Sequence, residues 1–363
     1  MFSVEFFSKI ALGYSIAGIA LWLSDFGSNN WMLIQYGRKE FEKLQIEWSF
    51  RYLRVLFFGS IISASIFFLN KDSILAVITF VCLLDLDADT SLGIRQLIYT
   101  PRKAVLLHSL KKILQLLLFL SWFLYGSSDN QLTFALVLIF PVVLIKVVDT
   151  HAIGGLRFNR KHARKDNSFP MWLQGGYTSL VNLDLVILAY FQEYELIATL
   201  AIGKKLYSAL YIFASTLSTE ILGSSEKDLK INDNSSRVNA FRQTMFLSIV
   251  ASIFIILFLK PILALLSPNE RESLNTVVIL TMVAVTPFGI PGSFYNAILL
   301  RRKRFLLSAV QGFVSAILYL LCIFWIGLLS NFAIAIIIGL FLKILSEFVL
   351  GRLSIANKNS AES

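Results

Sequence analysis

The chain of 363 residues is 56% apolar and 15% charged, against about 45–50% and about 25% in soluble domains. With a mean hydropathy of +0.70 it does not read as a soluble globular protein. Its net charge of +10 is broken into short connections between apolar runs, not gathered into the single stripe that nucleic-acid binding needs. Two cysteines, Cys82 and Cys322, lie inside apolar runs and offer neither a disulfide framework nor a zinc spacing.

A spanning helix needs about 20 mostly apolar residues. By that rule about eleven spans follow one another: 6–26, 52–69, 73–98, 105–125, 132–150, 170–191, 195–222, 243–264, 274–299, 305–326 and 330–351. The first has no positive leading region, and Glu5 and Lys9 precede an apolar run that continues past Leu23. It reads as a retained span, not a cleaved signal. The third and seventh are long enough to tilt or to end in an interfacial turn.

The connections alternate in charge. The first carries Arg38, Lys39, Lys43, Arg51 and Arg54, the second only Lys71. The third holds Arg95, Arg102, Lys103, Lys111 and Lys112, and the fourth, Gly126 to Gln131, holds none. Arg157, Arg160, Lys161, Arg164 and Lys165 follow the fifth span, and Arg301-Arg302-Lys303-Arg304 follow the ninth. Most of the 33 bases therefore fall on one side of the membrane. The positive-inside rule makes that side cytoplasmic, which puts the C-terminus inside and the N-terminus outside. The expected fold class is all-α: a polytopic integral membrane protein. It comprises an N-terminal lobe (1–156), a basic cytoplasmic loop (157–169), a C-terminal lobe (170–352) and a cytoplasmic tail (353–363).

Ionisable groups inside spans are expensive and face the bundle interior or a cavity. Asp184 and Lys204 lie at similar depths in neighbouring spans, so a pair between them is feasible. They either pin two helices or form the cationic wall of a substrate cavity. Lys343 and Glu347 stand four apart on one face, the spacing of an internal salt bridge. Lys146 and Asp149 both approach the cytoplasmic end, where Lys146 can snorkel. In the third span, LDLDADTSLG places Asp85 and Asp89 on one face and Asp87 nearly opposite. These acids suggest an interior-facing or locally unwound segment, helped by Gly93, with either an ion or proton site at Asp85 and Asp89 or pairing to nearby bases. In the ninth span, TPFGIPG sets Pro287 and Pro291 around Gly289, which predicts a kink or hinge. No phosphate-binding Gly-Lys-Ser/Thr loop or His/Glu metal cluster is present in the sequence, so neither cofactor nor metal is expected.

Three stretches carry a family resemblance. NLDLVILAYFQEYELIATLAIGKKLYSAL (182–210) resembles the start of the second lobe in Wzx-like O-antigen flippases, within the multidrug/oligosaccharidyl-lipid/polysaccharide exporter superfamily. SIAGIALWLSDFGSNN (15–30) resembles that family's second helix, and FAIAIIIGL (332–340) its Ala-rich last helix. The resemblance implies two pseudo-symmetric lobes around a central cavity that moves lipid-linked oligosaccharides across the cytoplasmic membrane. Membrane lipids and a polysaccharide polymerase machinery are the implied partners, and nucleic acid is not. Lys204, and after it Lys146 and Lys343, match positions for a cationic cavity, and Asp184 matches the family acids. Family members have twelve or more helices and a cytoplasmic N-terminus, whereas this chain reads as starting at the second helix. A cation-coupled small-molecule exporter of the same fold, a membrane polymerase or ligase, and an inactive truncated copy stand as alternatives.

Overall fold

The computed structural model describes residues 4–28, 32, 41–91, 94–95, 99, 101–125, 131–158, 169–223, 234–266, 275–301 and 304–356. All regular structure among them is helical, and it falls into two compact units, Met1–Asn182 and Leu183–Ser363.

The first unit contains α1 (Val4–Asp25), α2 (Phe41–Asn70), α3 (Ser73–Thr90), α4 (Pro101–Tyr125), α5 (Gln131–Ala152) and α6 (Phe169–Val181). Its centre is α3, which packs against α1, α2 and α5. Ala17, Leu21, Val55, Ile78, Cys82, Leu83, Ala88 and Val142 form the core around it. A two-residue connection sets the start of α3. Lys71 adopts a left-handed backbone (φ 54°), and the Asp72 carboxylate accepts the Leu75 N–H at 2.9 Å as an N-cap. Helix α5 ends in a Schellman-type turn, in which Gly155 N–H bonds to Thr150 O (2.8 Å) and Gly154 N–H to His151 O (3.0 Å). Both glycines have φ +89°, a backbone that residues with a Cβ rarely adopt. Helix α6 is fastened to α1 by two tryptophans. Trp22 Nε1 donates to Trp172 O and Trp172 Nε1 to Trp22 O, with the rings stacked 4.9 Å apart.

The second unit contains α7 (Leu183–Tyr190), α8 (Tyr194–Gly223), α9 (Asn234–Leu257), α10 (Leu259–Leu266), α11 (Thr276–Arg301), α12 (Phe305–Leu329) and α13 (Phe332–Ala356). Here α11 is central, touching α8, α9, α12 and α13.

The pattern of burial is inverted. On α4, Leu106, Leu110, Ile113 and Leu117 are exposed while Lys111 and Gln115 are buried. On α5, Phe140, Val143, Leu144 and Val147 are exposed while Lys146 and Asp149 are buried. Water would not tolerate such apolar outer faces, whereas lipid is as apolar as leucine. Five stretches among the described residues are long and apolar enough to cross a membrane: Leu44–Leu69, Ala135–Ala152, Thr276–Leu300, Phe305–Leu329 and Phe332–Ser354.

The helices correct several sequence boundaries. The span expected at 170–191 is two helices, broken at Asn182, where Asn182 N–H turns to Ser179 O and Asp184 opens α7. The unit boundary falls at that break, so α6, assigned by sequence to the C-terminal lobe, packs with α1 in the first unit. The span at 243–264 breaks at Phe258, because Pro261 has no N–H to donate and its ring would meet the carbonyl of Leu257. The third span stays helical through Asp85, Asp87 and Asp89 to Thr90, not locally unwound, and Gly93 lies outside the described residues. Pro287 and Pro291 lie inside an unbroken α11.

Candidate functional site

Two polar centres lie inside the apolar units. The first is built around α3, whose acids two apart point to opposite faces. Asp85 accepts from Tyr14 Oη of α1 at 2.8 Å and, towards α4, from Gln115 Nε2 at 2.8 Å, and Lys111 Nζ lies 2.7 Å from it. Asp89 is held by Lys111 at 2.5 Å and Lys112 at 2.8 Å. Lys111 thus occupies the place a bound cation would take between the two carboxylates. Among the described residues no three His, Cys, Asp or Glu side chains converge as metal ligands.

On the opposite face Asp87 meets two cations. Arg51 Nη2 lies 2.6 Å from it, and Lys146 Nζ donates to its other oxygen. Arg51 also bonds Asp25 (Nε–Oδ1, 2.6 Å), Thr90 and Ser91. The Lys146 ammonium stands 5.0 Å from the Trp48 ring centroid and 6.0 Å from that of Tyr52, within cation–π range. The sequence suggested Lys146 beside Asp149 on the same helix; instead Asp149 pairs with Arg95 at 2.7 Å. Packing against α3 decides this, since the short Asp149 side chain points to Arg95 while Lys146 reaches inward to Asp87.

Arg51, Arg95 and Lys111 entered the charge alternation as connection residues, yet all three are buried. For Arg51 the available signal is a charged face on α2, where Glu47, Arg51 and Arg54 follow helical spacing; Glu47 and Arg54 pair at 2.7 Å.

The second centre lies in the second unit. Lys204 Nζ lies 2.6 Å from Asp184 Oδ1, and Tyr319 Oη donates to Oδ2 at 2.8 Å. The Asp184 side chain is fully buried, whereas that of Lys204 is 22% exposed. The neighbouring Lys205 is exposed. Tyr319 had no sequence signal, since nothing in α12 announces a polar partner. Further along, Lys343 and Glu347 pair at 3.5 Å. Gly292 lies against Glu347, and Gly289 sits beneath the Tyr207 hydroxyl (3.4 Å to a Cβ placed there). The small residues of TPFGIPG therefore let α8 and α13 approach α11. Among the described residues Lys343 pairs with Glu347 on its own helix, and Lys146 pairs with Asp87 within the first unit.

Several solved transporters share this architecture. An inward-facing multidrug resistance MATE family transporter of the MOP superfamily aligns over 100% of this chain and 90% of its own, at TM-score 0.60 and 15% identity. A MATE protein in the bent conformation aligns over 99% and 94%, at 0.61 and 13%. A Vibrio cholerae MATE transporter aligns over 98% and 88%, at 0.57 and 11%. No family model and no curated protein matches the sequence. The likeness is one of fold: the chain is a multi-pass membrane protein with the architecture of MATE transporters.

Proposed function

We propose that the chain exports a lipid-linked (polyprenyl-pyrophosphate) oligosaccharide across the bacterial cytoplasmic membrane for surface polysaccharide assembly, such as O-antigen of lipopolysaccharide. The C-terminus is cytoplasmic and the N-terminus outside. The observation that carries this reading is the asymmetry of the Asp184–Lys204 pair: the carboxylate is sealed and held by Tyr319, while the Lys204 side chain is 22% exposed. An anionic head group can approach a partly exposed lysine whose counter-ion is buried behind it, while the lipid tail stays in the bilayer. Deleting the gene in its host should accumulate complete lipid-linked repeat units on the cytoplasmic side. The wild-type chain should clear them, and Lys204→Ala, at equal membrane abundance, should not. Normal export by a well-expressed Lys204→Ala chain refutes the role of this lysine, and no accumulation on deletion refutes the cargo.

A second reading, a cation-coupled exporter of small molecules, is favoured by the comparison structures, one of which is a MATE multidrug transporter. Drug efflux that saturates with Na⁺ or proton concentration, without effect on lipid-linked sugars, would select it.

A further inference from the structure

The first unit carries a cavity of about 620 Å³ against α5, between it, α2, α3 and the turn after α5. Leu84, Val143 and Val147 form apolar walls, and Lys146, Thr150 and His151 contribute polar groups. We propose that this groove binds one anionic glycerophospholipid of the surrounding bilayer, with an acyl chain along Val143 and Val147 and the phosphate at the His151 end.

The groove is graded along the helix axis. From Val143 to His151 is eight residues, or about 12 Å of rise, running from the middle of the candidate span Ala135–Ala152 almost to its end. Val143 and Val147, the latter 62% exposed, therefore sit at hydrocarbon depth on the outer face. Thr150 and His151 lie at the span's end, where head groups begin. A groove that is greasy at depth and polar at the interface matches a lipid better than a water-borne solute.

Charge selects the head group. The C-terminal dipole of α5 opposes an anion, but the carbonyls of Thr150 and His151 already accept N–H groups from Gly155 and Gly154. Those of Gly154 and Gly155 accept from Gln45 Nε2 at 2.8 and 3.0 Å. The Lys146 ammonium is already paired with Asp87, so the attraction comes from exposed Arg157, which follows the turn. A base at the end of a span attracts anionic lipid. This site is independent of the cargo proposed above.

The test uses the full chain, stripped of lipid in detergent and exchanged into nanodiscs of equimolar phosphatidylglycerol and phosphatidylcholine. Native mass spectrometry then counts the lipids retained after ejection. One phosphatidylglycerol should be retained in preference to phosphatidylcholine. Val147→Trp, which fills the groove from an exposed position, should abolish that retention. Leu144→Trp, also exposed on α5 but outside the groove, should leave it unchanged. His151→Glu should weaken it about fivefold or more, the effect of about one interfacial charge. Equal retention by Val147→Trp and wild type, or of the two lipids by wild type, overturns the proposal. So does displacement by inorganic phosphate, which would mean a head-group site that needs no chain.

Discussion

The Arg95–Asp149 pair allows a sharp test of how the first unit holds its buried charges. Both side chains are 0% exposed and lie 2.7 Å apart. Arg95 Nη2 also donates to Ala88 O at 2.8 Å, whereas Arg95 Nη1 and Asp149 Oδ1 have no hydrogen-bond partner among the described residues. Replacing Arg95 by Met keeps the volume and strands the carboxylate, and breaking a buried pair in this way costs about 3–5 kcal/mol. The double change Arg95→Met with Asp149→Leu removes both charges. Its main remaining loss is the donor to Ala88 O, worth about 1.5–3 kcal/mol for a charged group. Because the pair already leaves two polar atoms unmet, the double variant should lie closer to wild type than Arg95→Met does. The assay is equilibrium unfolding in mixed micelles by titration with a denaturing detergent. A loss below about 1 kcal/mol for Arg95→Met, or a double variant no more stable than that single, would refute the reasoning.

Three further outcomes follow from local geometry. Asp72→Ala removes the N-cap of α3 and should lower stability by about 1 kcal/mol in the same assay. Burial opposes ionisation of Asp72, but the N–H groups of Leu75 and Ile74 and the Lys9 ammonium outweigh it and hold the carboxyl below its usual range. Its stabilisation is therefore complete at neutral pH and lost as pH falls through that lowered value. Asp72→Asn should flatten the melting temperature against pH below about 4, the ordinary aspartate value; an unchanged slope would contradict the cap. Tyr319→Phe leaves one Asp184 oxygen without its 2.8 Å donor. It should cost about 1–3 kcal/mol, read by the same titration, and a neutral effect would mean another donor replaces it. Gly176→Ala and Gly203→Ala should differ although both are crowded. A Cβ at Gly176 would run into the Trp22 ring, which Trp172 locks from two sides, whereas one at Gly203 would meet the Met282 sulfur. Methionine can move aside, so thermal unfolding should show the larger loss for Gly176→Ala.

Much of the charge geometry was legible before the helices were placed. The opposite faces of Asp85 and Asp87 follow from 100° of rotation per residue, and the depth match of Asp184 and Lys204 follows from rise per residue. The i,i+4 pair Lys343–Glu347 needs no more than spacing. What stayed hidden depended on packing between elements. A hydropathy window stops at a charge, so it began the second span at residue 52 and assigned Arg51 to a connection. The helix in fact runs back to Phe41, and Arg51 is neutralised by Asp25 and Asp87. The same averaging passes over breaks at Asn182 and Phe258, because a turn of one residue barely alters mean hydropathy. Tyr319 was hidden for a different reason: a tyrosine in an apolar helix looks the same whether it faces lipid or caps a carboxylate 135 residues away.

The cargo is tested most directly in proteoliposomes carrying the purified chain and a fluorescent polyprenyl-pyrophosphate oligosaccharide. A membrane-impermeant quencher then reports which leaflet the label occupies. Transport predicts that label initially shielded in the inner leaflet becomes quenchable in vesicles with wild-type chain, and far more slowly with Lys204→Ala. If label stays shielded while the same vesicles move a small cationic dye under an ion gradient, the chain is a small-molecule exporter and the lipid-linked cargo is wrong.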